Sequence, residues 1–332
     1  MIHQDKPLLT ICIPTYQDPH YLGELLFSIR SQTFKRFKVV VIDNHSEKDY
    51  QSTLRSFSDL DITYIRNSEN IGAMRNIEKA IHYDCDTQFI MAFHSDDRMH
   101  PRLVETEMDI MLNNPDMAFV GSDICTFNNS DRLPEIILET PIRLDVYTDV
   151  SDFVLTLLKG SSFNLGSVIY RKKYLSTCFM DLSRFSVVAD RPFLCQVAKN
   201  GQIGFVKEKL VYYRDHGIHD ARGQSLNLLH IIELYKDYRT FCNLSDKHEA
   251  KIFFTSSTNN LLDSYSSLRS QSKLSFLSFA LIAQKEGVFR FRYIRIRGIL
   301  GIVGILMSLL KLDRPFKRLR RIIAMLRGKI VR

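Results

Sequence analysis

No Gly-x-Gly-x-x-Gly follows the first apolar run of this chain, and no Walker lysine motif occurs in it. The first absence removes the glycine turn that dinucleotide-binding folds place against a pyrophosphate. The second removes the phosphate loop of P-loop nucleotide hydrolases. The six cysteines (Cys12, Cys85, Cys125, Cys178, Cys195, Cys242) include no Cys-x-x-Cys pair and no His/Cys cluster at zinc spacing. They are expected to be reduced core residues in a cytosolic compartment. No secretory leader is visible: residues 1–6 are polar, and the next apolar stretch reads as a strand. There is no internal repeat. The uncharged run at 298–310 has thirteen residues, too few for a bilayer, which needs about 20.

What is present is ordinary in bulk and uneven in charge. The 332 residues are 45% apolar and 25% charged, enough for one large domain or two smaller ones with a sizeable core. The net charge of +8 is concentrated at one end. From Lys285 onward there are fourteen Lys/Arg against two acids, which leaves 31 Lys/Arg and 35 acids for the rest. A mildly acidic body therefore precedes a strongly basic tail.

Along the body, apolar runs alternate with helical spacing. Residues 8–13, 37–42, 62–65, 88–93 and 117–121 read as strands. Leu22, Leu25, Leu26 and Ile29 share one helix face. Ile71, Met74, Ile77 and Ile81 share another, and Val104, Met108, Met111 and Leu112 a third. The alternation predicts right-handed βαβ units and an α/β class with a mostly parallel sheet. Ligands bind beyond the carboxyl ends of such strands. Polar clusters stand at four of those ends: Thr15-Tyr16-Gln17-Asp18, Asp43-Asn44-His45-Ser46, Arg66-Asn67 and His94-Ser95-Asp96-Asp97. One acid pair in a loop means little; agreement at four strand ends marks a site.

Further on, a Gly-containing loop at 162–170 leads into a short strand. Asp190 lies at or near the N-cap of a helix with Pro192 in its first turn, so a plain helix cap is the rival to any chemical role. Residues 203–206 and 210–213 read as two short strands. The segment from Tyr213 to His219 is rich in side chains able to meet metal or phosphate. Residues 226–285 are helical in pattern. Without a glycine cradle, a phosphorylated ligand needs other neutralisation, and a divalent cation on carboxylates with basic side chains supplies it.

Several segments, in their order and spacing, resemble the inverting glycosyltransferases of family 2, which have a GT-A fold. They are Ile11-Cys12-Ile13-Pro14-Thr15-Tyr16, the run from Ser28 to Thr33, Val40-Val41-Ile42-Asp43-Asn44 with Ser46, and Asn70-Ile71-Gly72 with Arg75-Asn76. To these are added Ser95-Asp96-Asp97 with Pro101, Asn164-Leu165-Gly166-Ser167 with Arg171, Asp190, and Tyr213-Arg214 with His216. The resemblance covers the opening 220 residues. It implies that Asp43 contacts the base or ribose and that Thr15, Tyr16 and Arg75 line the nucleotide pocket, Arg75 being otherwise a surface residue. It implies that Asp96 lies against ribose or metal, and that Asp97 binds Mg2+ or Mn2+ bridging the diphosphate. It makes Asp190 the general base and offers His216 as a metal or phosphate contact. The sequence departs from the pattern at three places: His94, Asn44 and Ala189 stand where acids are usual.

The expected organisation is a GT-A catalytic domain at 1–222, a helical extension at 223–287 and a basic amphipathic tail at 288–332. In the tail, Phe316, Leu319, Ile323, Leu326 and Ile330 recur at helical spacing among Lys and Arg. This describes a helix lying in an anionic membrane interface on the cytoplasmic side, or alternatively one packed on the body. No stacking platform for nucleic acid accompanies it. The implied activity is transfer of a sugar from a nucleotide-sugar donor to a saccharide acceptor, lipid-linked in surface polysaccharide assembly. The alternative is a non-catalytic GT-A-like binding protein. A nucleotidyltransferase is disfavoured, because no Gly-rich basic loop follows the first strand.

Overall fold

The structure, a computed structural model, describes residues 6–128, 133–160, 163–215, 226–268 and 274–294. His216 and residues 295–332, with most of the basic tail, lie outside the described residues. The chain divides after residue 225 into two compact units.

The first unit is built on a nine-stranded sheet. Its strands are β1 (Leu9–Thr15), β2 (Phe37–Asp43), β3 (Ile62–Arg66), β4 (Phe89–Ala92), β5 (Arg98–Met99), β6 (Met117–Phe127), β7 (Leu144–Tyr147), β8 (Ile169–Arg171) and β9 (Gln202–Arg214). Their spatial order is β3-β2-β1-β4-β8-β6-β9-β5, with β7 also on β9. The half β3-β2-β1-β4 is parallel throughout. All seven residues of β1 are buried, as a strand covered on both faces requires. In the other half β6 and β9 are parallel, but β8 enters antiparallel between β4 and β6, and β5 and β7 pair antiparallel with β9. The expected parallel sheet is thus found with an antiparallel strand inserted. β8 has three residues and carries no period of its own.

Helices α1 (Pro19–Arg30), α2 (Gln51–Arg55) and α3 (Ala73–Ile81) link the strands of the first half, and α4 (Leu103–Asn113) leads from β5 to β6. Asp18 caps α1, its carboxylate accepting from the Tyr21 amide, and Pro19 opens the helix. Leu22, Leu25, Leu26 and Ile29 are fully buried as their spacing predicts. In α3 Ile81 is buried but Met74 and Ile77 are only half-buried, and the polar Asn76 is buried as well. α2 buries no residue and carries no apolar period. The two strands expected at 203–206 and 210–213 are one strand, β9: Glu208 between them is buried and accepts from the Arg143 amide and guanidinium. Two further helices, α5 (Val150–Leu158) and α6 (Leu182–Phe185), precede α7 (Asp190–Ala198). The α7 side of the sheet is packed with rings: Phe119 meets Phe153, Phe163 and Tyr170, and Tyr170 meets Phe193.

The second unit contains α8 (Leu228–Phe241), α9 (Lys247–Leu268) and α10 (Phe276–Lys285). Asn227 and His230 form a reciprocal cap at the start of α8. Tyr265 of α9 packs on Phe276 and Phe279 of α10. Among the described residues no helix is long and apolar enough to cross a membrane.

Candidate active site

The parallel register sets Thr15, Asp43 and Arg66 level at the carboxyl edge of the sheet. Phe93, leaving β4, donates its amide to the Cys12 carbonyl and brings the acidic turn to the same edge. Three of the four polar strand ends therefore lie in line, with the fourth beside them.

Asp43 is fully buried, and both its oxygens are occupied. Oδ1 accepts from the Ser46 amide at 3.0 Å and the Ser46 hydroxyl at 2.5 Å. Oδ2 accepts from the Tyr64 hydroxyl at 2.8 Å and faces the Arg66 guanidinium at 3.3 Å. Burial, and then the Asp43 charge, pushes the Tyr64 phenol above its ordinary pKa. Ser46 in turn accepts from the Gln17 amide at 2.8 Å. Thr15 Oγ1 lies 3.0 Å from the Tyr50 hydroxyl, which also accepts from the Asp18 amide. These bonds lock the loops after β1 and β2 together. Gln17 and His45, at φ of 60° and 65°, hold left-handed backbone there, at a cost of about 1–3 kcal/mol each that such locking must offset. Tyr16, next to Gln17, is 47% exposed.

Next to this lock lies an asparagine lattice. Asn67 donates to Asn44 and Asn76, Asn44 donates to Asn70, and Asn44 Oδ1 accepts the Ile71 amide. Asn76 reaches the Ile42 carbonyl and Lys79 caps Asn67. Asn44, where an acid is usual in the resemblance, is thus both donor and acceptor, a double role closed to a carboxylate. Arg75, on the first turn of α3, is exposed and has no hydrogen bond or ion pair among the described residues.

The acidic turn gathers three side chains. One potential ligand atom each from His94, Asp96 and Asp97 lies within 4.8 Å of the others. His94 Nδ1 is 3.8 Å from Asp97 Oδ2, and among the described residues His94 Nε2 has no hydrogen-bond partner. Asp97 is 2% exposed. Burial, and then the neighbouring Asp96, pushes its carboxyl well above the usual range, with Arg214 acting in the opposite sense. Two carboxylates and an imidazole so placed, one of them held at electrostatic cost, form a donor set suited to a divalent cation. The His94 ring rests on Gly166, whose amide donates to Asn164 Oδ1 at 2.9 Å. The motif from Asn164 to Ser167 therefore shapes the imidazole's seat.

Asp190 is the first residue of α7, and Ala189 takes the cap position. Its side chain is 23% exposed, with the Arg191 guanidinium 3.7 Å away. Burial raises its pKa, while Arg191 and then His94 pull it back. Asp190 is near enough to His94 for the two charges to act on each other. Arg171, grouped with these motifs in sequence, serves elsewhere: its guanidinium donates to the carbonyls of Met111, Asn114 and Met117.

The sequence reading missed Tyr50 and Tyr64 as site residues, and it gave Asn67 and Arg214, which it placed in the strand-end and closing motifs, no role of their own. The partners of Tyr50 and Tyr64 lie 20 or more residues away, as in Tyr64 to Asp43 or Tyr50 to Thr15, and no local period signals them. Gln32 is a clearer case. It is buried, donates to the Ser28 and His100 carbonyls and accepts the Val104 amide. The Ser28–Thr33 run is therefore a brace for the segment after the acidic turn.

Among solved structures, S. aureus TarS (residues 1–349, in complex with UDP-GlcNAc) aligns with a TM-score of 0.59 at 16% identity, covering 81% of this chain and 76% of that one. The likeness is one of fold. The bifunctional glycosyltransferase pgtA of Dictyostelium discoideum is 25% identical over 175 residues, 48% of this chain and 23% of that protein. The Escherichia coli UDP-Glc:alpha-D-GlcNAc-diphosphoundecaprenol beta-1,3-glucosyltransferase WfgD is 26% identical over 133 residues, 40% of this chain and 52% of that protein. The chain thus spans between a quarter and about half of these two relatives. The model of the family described as Glycosyl transferase family 2 matches residues 10–177, half of the chain, and the protein belongs to that family, with a GT-A fold.

Proposed function

We propose that this chain is an inverting glycosyltransferase that moves a sugar from a nucleoside-diphosphate donor to a saccharide hydroxyl. The observation that carries the reading is the convergence of His94, Asp96 and Asp97 within 4.8 Å, with Asp190 in electrostatic reach of His94. Thr15, Tyr16 and the Asp43–Ser46 loop form the wall on the nucleotide side. Asp43, already holding four donors, acts by shaping that loop. Arg75, exposed on α3, is available to a phosphate or ribose. Asp97, with Asp96 and His94, would hold Mg2+ or Mn2+, which when bound offsets charge on the leaving diphosphate. His216 would add to that set, on sequence grounds alone.

Asp190 takes the proton of the acceptor hydroxyl. The freed oxygen attacks the anomeric carbon from the face opposite the diphosphate. The bond from that carbon to the diphosphate oxygen breaks, and the electron pair leaves on that oxygen. A raised Asp190 pKa makes the carboxylate a stronger base at neutral pH. The acceptor proposed is lipid-linked, as the name of WfgD states for that protein, and the basic tail suits attachment to the inner face of a cell membrane.

Nucleotide-sugar turnover with and without Mn2+ tests the reading. Asp190→Asn should lower kcat by about 10²–10⁴-fold and leave donor affinity unchanged. Full activity in that variant removes Asp190 as the base. Turnover unaffected by chelation removes the metal.

A further inference from the structure

The acidic turn is pinned from behind by one residue. Arg214, the last of β9, donates its backbone amide to Asp97 Oδ1 at 2.8 Å. Its guanidinium Nε donates to the Asp96 carbonyl at 2.6 Å. The same side chain is 2% exposed, with Tyr21 on one side and Phe127 on the other, at 4.2 and 4.6 Å from the ring centres. Its far end meets Glu24 of α1 at 2.5 Å, and Glu24 binds Arg98 at the same distance. Burial alone would raise the Glu24 pKa, but the two guanidiniums bring it below the ordinary value.

Two features separate this arrangement from a general stabilising ion pair. The contacts fall on consecutive residues, Asp96 and Asp97, which carry two of the three clustered donor groups. They also engage one oxygen of Asp97 with an amide, so that the other, Oδ2, is the oxygen presented to His94. We infer that Arg214 and Glu24 are positioning residues of the cation site: Arg214 fixes the backbone of the acidic turn and the orientation of the Asp97 carboxylate, and Glu24 fixes Arg214. The inference rests on the metal reading proposed above. Groups that orient metal ligands commonly govern affinity as strongly as 10- to 100-fold.

The experiment is a titration of Mn2+ into the full chain, followed by the EPR signal of free Mn2+, in the presence of each of UDP, GDP, CDP and dTDP. Arg214→Met is expected to weaken Mn2+ binding about 10- to 100-fold, and Glu24→Gln about tenfold. Arg214→Lys keeps the charge but not the fork and should fall between wild type and Arg214→Met. The double variant should be no weaker than Arg214→Met alone, because the residues act as one unit. Circular dichroism checks folding. If Arg214→Met does not fold, Glu24→Gln, which leaves the shape intact, decides. Mn2+ affinity within twofold of wild type in folded Glu24→Gln and Arg214→Lys overturns the positioning role while the metal reading stands. A wild-type protein that takes up no Mn2+ with any nucleotide overturns both.

Discussion

Asp43, Asp97 and Glu107 are all buried, and each meets the cost of burial differently. Asp43 has four donors. Removing one, in Tyr64→Phe, should cost about 1–3 kcal/mol, the penalty of leaving a buried charge short of a partner. A denaturant midpoint equal to wild type would contradict that. Asp97 has one amide and two ligand-bearing neighbours, an arrangement that a cation completes. Glu107, on α4, has neither: among the described residues both oxygens lack a hydrogen-bond partner, although the Ser122 hydroxyl is near. Burial pushes its carboxyl well above the ordinary range, so folding favours its protonated form. The folded state then holds a proton that the unfolded chain releases above about pH 4.3. Stability due to this group is full below that pH and falls as pH rises toward the raised folded value. Glu107→Gln should therefore flatten the decline of Tm between pH 5 and pH 8. Parallel Tm–pH curves for the two proteins would refute this account.

Among the elements, the ends of strands carry the chemistry and the helices hold those ends in place. The α1 brace shows how. Gln32 at the helix end satisfies the His100 carbonyl and the Val104 amide, and Ser28 accepts the Met99 amide. β5 and the start of α4 are thereby tied to α1, and the acidic turn lies just before them. Gln32→Ala should cost about 1–3 kcal/mol through unpaired buried groups, and the acidic turn should then open in hydrogen exchange sooner than β1. Unchanged exchange at residues 96–104 would argue against a brace. Close approach sets another limit at the start of β9. A Cβ on Gly201 would stand 2.5 Å from the Asp116 carbonyl oxygen. Gly201→Ala should force β6 and β9 apart at their first contact and lower Tm more than an alanine at exposed Lys199.

For the molecule as a whole, charge separates a mildly acidic body from a basic end. Removing residues 288–332 should abolish sedimentation with phosphatidylserine vesicles and leave nucleotide-sugar hydrolysis intact. Full-length binding should weaken as salt rises, since each Lys or Arg near an anionic surface contributes about 1 kcal/mol. Vesicle binding that survives the truncation would transfer the membrane role to the body. The parallel half of the sheet was legible because each of its strands is a mostly apolar run followed by polar residues. In the mixed half strands were read but their pairing was not: β8 has three residues, and its place between β4 and β6 comes from pairing partners about 50 and 80 positions away.

The sequence by itself determined that strands and helices alternate and that polar groups, Asp96 and Asp97 among them, collect at one sheet edge. Those properties follow from local period and from where apolar runs stop. Only the tertiary structure decided that Asp43 is enclosed by Ser46, Tyr64 and Arg66, that His94 sits on Gly166, and that Arg214 reaches back across 117 positions to hold the acidic turn. A side chain's donors and its seat are set by which distant segments the closed sheet brings against it. No window of neighbouring residues carries that information.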